Sequence, residues 1–419
     1  MTDGARQRSS IRRALSHRNF AIFEAGLLPH YLTGWIQRVG AGWLAWELTE
    51  SPAWLGVIAA ADLAPMLVLA PLAGAWTDRV NPLPLIRLAQ AMIVVQAVAM
   101  SALTYAGWMS IEMLLALTIF VGCIYPFHSS ARQSIIPATI AREDFAPAVA
   151  LDSASFHSTR FVGPAIAALI IPLYDVQGTF VAHIFGSAIC LISLLLLRLK
   201  PPDRSQARGR NLLAQVVDSM AYATRHNGLR PILLLLTFAS VCVRPLQDML
   251  PGFAGDVFQG GARELAWMSS SVGVGAMIGA FYIAWRGGLA GLTRITMIGY
   301  AGSGLAALAF VATQNIWIGL LGCAGIGFFL NIMSTSTQAL MQLATDDAMR
   351  GRVMSLYLVI YRGMPAAGAL LIGFISSLFG LRIAGALVAL VSLAFLLTIL
   401  PKQAAIAASF EHPPRRPQT

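Results

Sequence analysis

The stretch that decides the fold is residues 200–228, KPPDRSQARGRNLLAQVVDSMAYATRHNG, a polar and basic segment in a largely apolar chain. It begins with Lys-Pro-Pro and carries Arg204, Arg208 and Arg210. On both sides of it lie apolar stretches of about 20 residues, which is the length of a helix that crosses a bilayer. The segment separates six such stretches from six others, and within it Leu212, Val216 and Met220 recur at helical spacing. That spacing predicts a short amphipathic helix on the membrane surface.

Twelve apolar stretches predict an all-α integral membrane protein with twelve transmembrane helices in two pseudo-symmetric six-helix bundles. The predicted domains are a basic cytoplasmic tail (1–19), an N-terminal bundle (20–199), a cytoplasmic linker (200–228), a C-terminal bundle (229–400) and a cytoplasmic tail (401–419). The predicted spans 1 to 12 are, in order, 20–47, 53–75, 84–107, 111–134, 145–172, 178–198, 229–252, 264–285, 291–312, 316–341, 352–376 and 380–400.

Composition and charge agree with this prediction. The chain is 57% hydrophobic and 11% charged, whereas soluble domains carry about 25% charged residues. Of the 29 basic residues, four lie in the interior of predicted spans, namely Arg38, Arg160, Arg244 and Arg362. Arg263 and Arg382 lie on the external side or at the external end of a span, and the other 23 lie at cytoplasmic ends of spans or in cytoplasmic segments. Basic residues stay on the cytoplasmic side during insertion, so both termini are predicted to be cytoplasmic, in a bacterial inner membrane. The net charge of +10 therefore indicates contact with anionic lipid and not with nucleic acid.

The two halves also resemble each other. Residues 133–151 align with residues 338–356 at an offset of 205, and Gly163 then falls on Gly368. Internal repeats of this kind are typical of transporters, in which the substrate site lies near the midplane between the repeats. The four cysteines have no metal-site or redox spacing, so we expect neither a metal nor a cofactor.

Three motifs lie near the ends of predicted spans. The first is Arg132-Gln-Ser-Ile-Ile-Pro137 followed by Arg142-Glu-Asp and Gly163-Pro164. The second is Asp346-Asp347-Ala-Met-Arg350-Gly351-Arg352, and the third is Gly74-Ala-Trp-Thr-Asp78-Arg79. These motifs resemble those of the major facilitator superfamily, and in particular of its bacterial exporters that include enterobactin and macrolide efflux proteins. The resemblance covers nearly the whole chain.

The resemblance implies a fold in which spans 1, 4, 7 and 10 line the substrate cavity and a set of residues gates its cytoplasmic end. The implied gate consists of Gly74, Asp78, Arg79, Arg132, Arg350 and Arg352. Gly163 and Pro164 match the antiporter-type motif of span 5, although this motif here ends in Ala167-Ala168 instead of a glycine pair. A packing kink is the alternative role for these two residues.

Charges inside the spans are the candidate proton and substrate groups, because charge in hydrocarbon is costly. Arg38 and Asp62 each lie twelve residues from Glu50, where the first hairpin turns. At 1.5 Å per residue both are expected about 18 Å from the turn, at one depth. Two roles remain open for this pair, a structural salt bridge and a pair that exchanges a proton or substrate.

Arg244 and Asp248 are four residues apart in span 7, which predicts that they share one helix face as an external gate or as a local ion pair. Glu24, early in span 1, is a candidate proton carrier or a residue at the headgroup level. Further candidates in the spans are Asp152 and Arg160, two turns apart on span 5, Arg362 on span 11 and Asn331 on span 10. Asp62 and Asp152 are competing partners for Arg362. The histidines His30, His128 and His157 are interpreted as structural.

The sequence contains no phosphate-binding loop and only two lysines, so ATP-driven transport by this chain is excluded. The predicted function is secondary active transport by alternating access, namely proton-coupled efflux of a small amphiphilic drug or siderophore by a monomer in contact with membrane lipid. The alternatives are a lipid flippase or uptake carrier of the same fold, because fold sets neither direction nor substrate. A membrane enzyme is a further rival, but no hydrolase or metalloprotease motif is present.

Overall fold

The computed structural model describes residues 12–77, 79–199, 228–287, 291–344 and 347–411, and these ranges contain helices and turns but no strand. The helices of the N-terminal half follow the predicted spans closely. A turn at Glu50, with φ 47°, separates the first two. The bounds of spans 1 to 4 are, in order, Arg18–Thr49, Pro52–Thr77, Pro82–Tyr105 and Ile111–Thr139.

Spans 5 and 6 form one long helical element, Phe145–Leu196, that bends at a single residue. Its 52 residues would extend about 78 Å as a straight helix, far more than the thickness of a bilayer. Asp175 has φ 57° and ψ −174°, which is not helical, so the element consists of two arms, 145–174 and 176–196. The bend confirms the connection predicted between residues 172 and 178.

The C-terminal half contains one irregular span. Span 7 begins as Leu229–Phe238, widens into a π-helical turn at Ala239–Val243 and tightens into a 3-10 turn at Arg244–Gln247. Pro245 and Pro251 lack the amide hydrogens that a regular helix needs, which accounts for the interruption. Spans 8 to 12 are, in order, Ala262–Arg286, Leu292–Ala312, Ile316–Ala344, Asp347–Phe379 and Leu381–Ile399.

Ten helices in the described ranges are long and apolar enough to cross a membrane. The bent element counts once among these ten although it contains two spans. Span 1 is not among them, because Glu24, His30, Gln37 and Arg38 lower its mean hydropathy. With span 1 and both arms of the bent element, the described helices account for all twelve predicted spans.

The described residues form two compact units. Unit 1 comprises Met1–Leu48 and Ala64–Gly209, and unit 2 comprises Thr49–Leu63 and Arg210–Thr419, as far as these ranges are described. The units therefore differ from the predicted bundles at residues 49–63, the first part of span 2, which pack with unit 2. A Cβ added to Gly56 would lie 2.4 Å from the carbonyl oxygen of Ala369, so glycine allows this close packing of spans 2 and 11.

Two arginines cap the C-terminal ends of helices. In unit 1, Arg87 donates from Nε to the carbonyl of Leu194 (2.9 Å) and from Nη2 to that of Leu197 (3.0 Å). In unit 2, Arg382 donates to the carbonyls of Val311 (3.0 Å) and Ala312 (2.7 Å). A cation at a helix C-terminus satisfies carbonyls that have no partner in the helix. This bonding gives Arg382, one of the two predicted external arginines, a structural role.

The predicted C-terminal tail begins with a packed helix. Gln403–Glu411 is helical, and Ile406 and Phe410 are buried in an apolar cluster with Leu229 and Tyr300. Residues 403–411 of the predicted tail therefore form a helix whose apolar face is covered. The predicted amphipathic helix of the linker lies outside the described residues.

Candidate functional site

A buried ion pair joins spans 4 and 5 within unit 1. Arg132 donates from Nη1 to Asp152 Oδ2, and their side chains are only 15% and 7% exposed. Tyr31 of span 1 donates from its hydroxyl to the other oxygen, Asp152 Oδ1, at 3.3 Å. The guanidinium of Arg132 also lies over the Tyr31 ring, 5.8 Å from its centroid. Three spans thus meet at one carboxylate whose charge is matched by an arginine.

Glu24 lies on the same face of span 1 as Tyr31, two turns away. It is buried within the protein, with 6% of its surface exposed, and its depth in the membrane stays a prediction. Ser155 of span 5 donates to Glu24 Oε1 at 2.5 Å. The other oxygen, Oε2, is buried and has no hydrogen-bond partner in the described structure. A carboxyl group in this environment can bind and release a proton at its second oxygen.

Two further arginines surround one tryptophan ring. Arg38 of span 1 and Arg160 of span 5 each place their guanidinium carbon 5.6 Å from the centroid of Trp35. Phe156 packs edge-on against both Trp35 and Tyr31. Cation–π contacts of this kind stabilise a guanidinium that lies partly away from water.

Three histidines cluster in the core of unit 1. The ring centroid of His30 lies 5.4 Å from that of His128 and 5.6 Å from that of His183. All three are at most 3% exposed. Within the described residues, no group of histidine, cysteine, aspartate and glutamate side chains is arranged to hold a metal ion. The side chain of His157 lies outside the described part of the chain.

Arg244 and Asp248 lie at the irregular part of span 7. Residues 244–247 form a 3-10 turn with about three residues per turn, and the pairing of the two side chains stays a prediction. Arg244 donates to the backbone carbonyl of Tyr361 at 2.7 Å and lies 4.0 Å from the centroid of that ring. Tyr361 in turn stacks on Tyr357, with centroids 5.5 Å apart.

Gly163 and Gly368 hold two pairs of spans close together. A Cβ at Gly163 would lie 2.5 Å from Trp35 Cβ and 3.5 Å from the amide nitrogen of Ile36, on span 1. A Cβ at Gly368 would lie 2.2 Å from the carbonyl oxygen of Val241, on span 7. These contacts support the packing role considered for the Gly163-Pro164 motif. The helix of span 5 continues through Pro164 without non-helical dihedrals at that residue.

The implied cytoplasmic gate is only partly described. Arg79 is exposed, and a Cβ at Gly74 would meet nothing within 4 Å. Asp78 and the side chains of Arg350 and Arg352 lie outside the described residues. Arg132, which the resemblance assigned to this gate, pairs with buried Asp152. Its membership of the gate therefore stays a prediction, while its ion pair is an observed feature of unit 1.

The other candidates are placed as follows. Asp62 and Arg362 are half-buried on spans 2 and 11, and the predicted pairing of Arg38 with Asp62 stays a prediction. Asp152, one of two competing partners considered for Arg362, is bonded to Arg132 and Tyr31, and the partner of Arg362 stays a prediction. Asn331 accepts a long hydrogen bond from Thr335 at 3.5 Å on span 10.

Sequence reasoning missed the Arg132–Asp152 pair although a signal for it was present. Arg132 lies nine residues before Ala141, where the chain turns, and Asp152 lies eleven residues after it. The depth argument that was applied to Arg38 and Asp62 therefore places this pair at one depth as well. Tyr31 and Ser155 carried no comparable signal, because an uncharged polar residue in a span is common.

Comparisons with known proteins complete the description. A family model described as "Transmembrane secretion effector" matches residues 12–417. The staphyloferrin A transporter of Staphylococcus aureus (strain NCTC 8325 / PS 47) is 24% identical over 352 residues, which cover 84% of this chain and 88% of that protein. Macrolide efflux protein A of Streptococcus pyogenes is 24% identical over 340 residues, which cover 79% of this chain and 83% of that protein.

Solved structures show the same fold. A bacterial homologue of the human lysosomal transporter Spinster, in an inward-facing and unoccupied conformation, matches with a TM-score of 0.67 at 16% identity. The match covers 94% of this chain and 98% of that one. At this identity the likeness concerns the fold alone, and it confirms the predicted twelve-helix architecture of the superfamily.

Proposed function

The chain belongs to the transmembrane secretion effector family of the major facilitator superfamily, and from this membership we propose that it exports a small amphiphilic molecule in exchange for protons. Its place among multi-pass membrane transporters follows from the family and from its apolar helices. The substrate class, the direction and the coupling ion are the parts that we propose.

The observation that carries proton coupling is the environment of Glu24. Its carboxyl group is buried, accepts one hydrogen bond from Ser155 and has no partner for Oε2. A permanently charged carboxylate in such a place is unfavourable, whereas a carboxyl that gains and loses a proton during the cycle is not. Asp152 is less suited to this role, because Arg132 and Tyr31 already bind both of its oxygens.

Export of a drug-like or siderophore-like molecule is supported by the relatives. One is named for staphyloferrin A and another for macrolide efflux. Transport then proceeds by alternating access, with the energy supplied by the proton gradient because the chain has no nucleotide-binding loop. We further propose that the protein is a monomer of the bacterial inner membrane with both termini cytoplasmic, and that it has no enzymatic activity.

The test is a proton-flux measurement in proteoliposomes that carry an imposed pH gradient and a trapped pH dye. The probes are erythromycin and staphyloferrin A, which are chosen from the names of the relatives. We expect at least one probe to dissipate the gradient with the wild-type protein. We expect Glu24→Gln to reduce this flux to the level of empty vesicles, since glutamine cannot release a proton.

The matched control is Glu112→Gln, which changes an exposed acid at the start of span 4 and should leave the flux unchanged. Flux that is equal in wild type and Glu24→Gln would contradict the assignment of Glu24. If the wild-type protein accumulates neither probe but moves labelled phospholipid between the two leaflets, the lipid flippase alternative is correct and export is wrong.

A further inference from the structure

Unpartnered polar atoms are spread along the interior of unit 1. Six buried side-chain atoms there have no hydrogen-bond partner among the described residues. Buried polar groups are normally satisfied, and groups without a protein partner usually bind ordered water. The six atoms are Glu24 Oε2, His128 Nε2, Gln90 Oε1, Gln37 Oε1, Gln177 Oε1 and Thr104 Oγ1.

These atoms belong to four successive layers of polar residues, which we call the polar column. The first layer, nearest the N-terminal end of span 1, contains Glu24 with Ser155 and the pair Arg132–Asp152. The next contains the three clustered histidines. The third contains Gln37 and Gln96, and the fourth contains Gln177, Ser101 and Thr104. Every layer therefore includes at least one buried atom that lacks a protein partner.

The histidine layer joins spans 1, 3, 4 and 6. Gln90, which is fully buried, donates to the carbonyl of Ser187 at 2.9 Å and approaches His30 Nδ1 at 3.5 Å. The hydroxyl of Thr33 lies 3.1 Å from His183 Nδ1. His128 lies one helical turn from Arg132 on span 4, which places this layer next to the ion pair.

Titratable and charged groups face this layer from several elements. They are His30 and Tyr31 on span 1, His128, Tyr125 and Arg132 on span 4, and His183 on span 6. Span 3 contributes Gln90, which is uncharged. The histidines therefore have one positively charged neighbour, Arg132, whose charge is matched by Asp152.

The third layer lies farther along the same face of span 1, since Thr33 and Gln37 follow His30 at helical spacing. Gln37 donates to Gln96 Oε1 at 3.2 Å, and Gln37 and Gln96 both donate to the sulfur of Met100, at 3.1 and 2.8 Å. Both glutamines are buried. In the fourth layer, Gln177 donates to Ser101 Oγ at 2.8 Å.

The polar column is long enough to cross most of the membrane. Glu24 and Gln37 are thirteen residues apart on span 1, or about 20 Å, and Gln96 and Ser101 are five apart on span 3, or about 7.5 Å. Together this is close to the thickness of the hydrocarbon core, about 30 Å. Unit 2 contains buried hydroxyls that pair with each other, as in Thr296 with Ser336 (2.8 Å) and Ser392 with Tyr300 (2.8 Å). It also contains a buried hydroxyl, Ser376 Oγ, without a hydrogen-bond partner among the described residues.

We propose that the polar column is a water-filled proton path inside unit 1, which delivers protons to Glu24 through the core of this unit. The proposal rests on the proton coupling proposed above and adds the route to it. Each unpartnered atom binds a water molecule, and short chains of water bridge the gaps of about 8–10 Å between layers that the side chains alone do not close. Protons then move along waters and imidazoles, and the glutamines hold the waters in place.

Hydration is tested first, because its measurement does not depend on transport. Purified protein in detergent is irradiated with X-rays, so that hydroxyl radicals form from bound water and oxidise neighbouring methionines. Met100 is only 1% exposed, yet we expect it to become sulfoxide about ten times faster than methionines in dry packing. The controls are Met268 and Met333, which are 0% and 2% exposed in unit 2.

Conduction is tested with Gln96→Leu, which removes one layer of the column. We expect proton flux driven by erythromycin or staphyloferrin A to fall about tenfold, while exchange of labelled for unlabelled probe, which needs no net proton movement, continues. Gln96→Asn keeps an amide in place and should retain most of the flux. The exposed Gln314→Leu serves as the control for a lost glutamine.

The outcomes separate this proposal from the proposed function. If wild type is proton-coupled but Met100 is as protected as Met268, or Gln96→Leu conducts fully, the path is wrong and the coupling stands. If Met100 is oxidised but neither probe moves protons, the column holds water without conducting and the path is again wrong. The path is supported if Met100 is oxidised rapidly and if proton flux falls in Gln96→Leu but not in Gln96→Asn or Gln314→Leu.

Discussion

Gly163 in span 5 and Gly368 in span 11 occupy equivalent positions of the internal repeat, 205 residues apart, and both allow their spans to approach a neighbour closely. The neighbours correspond as well, because Gly163 packs against Ile36 and Gly368 against Val241, which are again 205 residues apart. The two halves therefore share a backbone arrangement at this contact. The offset can be used to compare the side chains that each half places there.

The side chains at equivalent positions differ in kind. Asp152 and Arg132, the buried ion pair of unit 1, correspond to Tyr357 and Thr337 in unit 2. Glu24 and Tyr31 correspond to Leu229 and Leu236, which are fully buried in an apolar cluster. A common backbone thus carries charged groups in one half and uncharged side chains in the other, which supports the proposal that Glu24 of unit 1 carries the proton.

The largest expected effect comes from breaking the ion pair. Arg132→Met leaves Asp152 buried without its counter-charge, which should cost about 3–5 kcal/mol of unfolding free energy. The double variant Arg132→Met/Asp152→Leu, which leaves this position of unit 1 uncharged as it is in unit 2, should recover most of that loss. Both are measured by denaturant unfolding in detergent.

The exposed Arg79→Met is the control for this experiment and should change stability by less than about 0.5 kcal/mol. Equal stability of the single and double variants would mean that Asp152 is not charged and paired in the way the structure shows. The two halves would then not differ by a buried charged pair at this position.

A smaller effect is expected at the shared glycines. Gly163→Ala and Gly368→Ala each place a methyl group within 2.5 Å of a neighbouring atom, so each should destabilise its unit by about 1–3 kcal/mol. Gly74→Ala meets nothing within 4 Å in its helix and should instead stabilise by about 0.5–1 kcal/mol. Thermal unfolding in detergent measures whether each variant is more or less stable than wild type. An unchanged stability of Gly368→Ala would contradict the shared packing.

Sequence patterns predicted the span bounds well because hydrophobic length and prolines are local signals. Such local signals predicted the turn at Glu50 and the connection near Asp175, and the repeat offset related Gly163 to Gly368. The side-chain partners were not, because they depend on which helix faces which. Arg132 was assigned to the gate by the family resemblance, which gave no sign of its contacts with Asp152 and Tyr31 on two other spans. For the irregular geometry of span 7, the sequence offered only Pro245 and Pro251 as signals.

The smallest expected effect tests the unit 2 counterpart of Asp152. Tyr357 donates from its hydroxyl to the carbonyl of Ser334 at 3.3 Å and stacks on Tyr361. Tyr357→Phe removes the hydrogen bond but keeps the ring, so unfolding free energy should fall by only about 0.5–1.5 kcal/mol, and proton flux in proteoliposomes should be unchanged. A loss of flux comparable to that of Glu24→Gln would show that unit 2 also handles protons. Unchanged flux, with a modest loss of stability, would restrict the ionisable chemistry at this repeat position to unit 1.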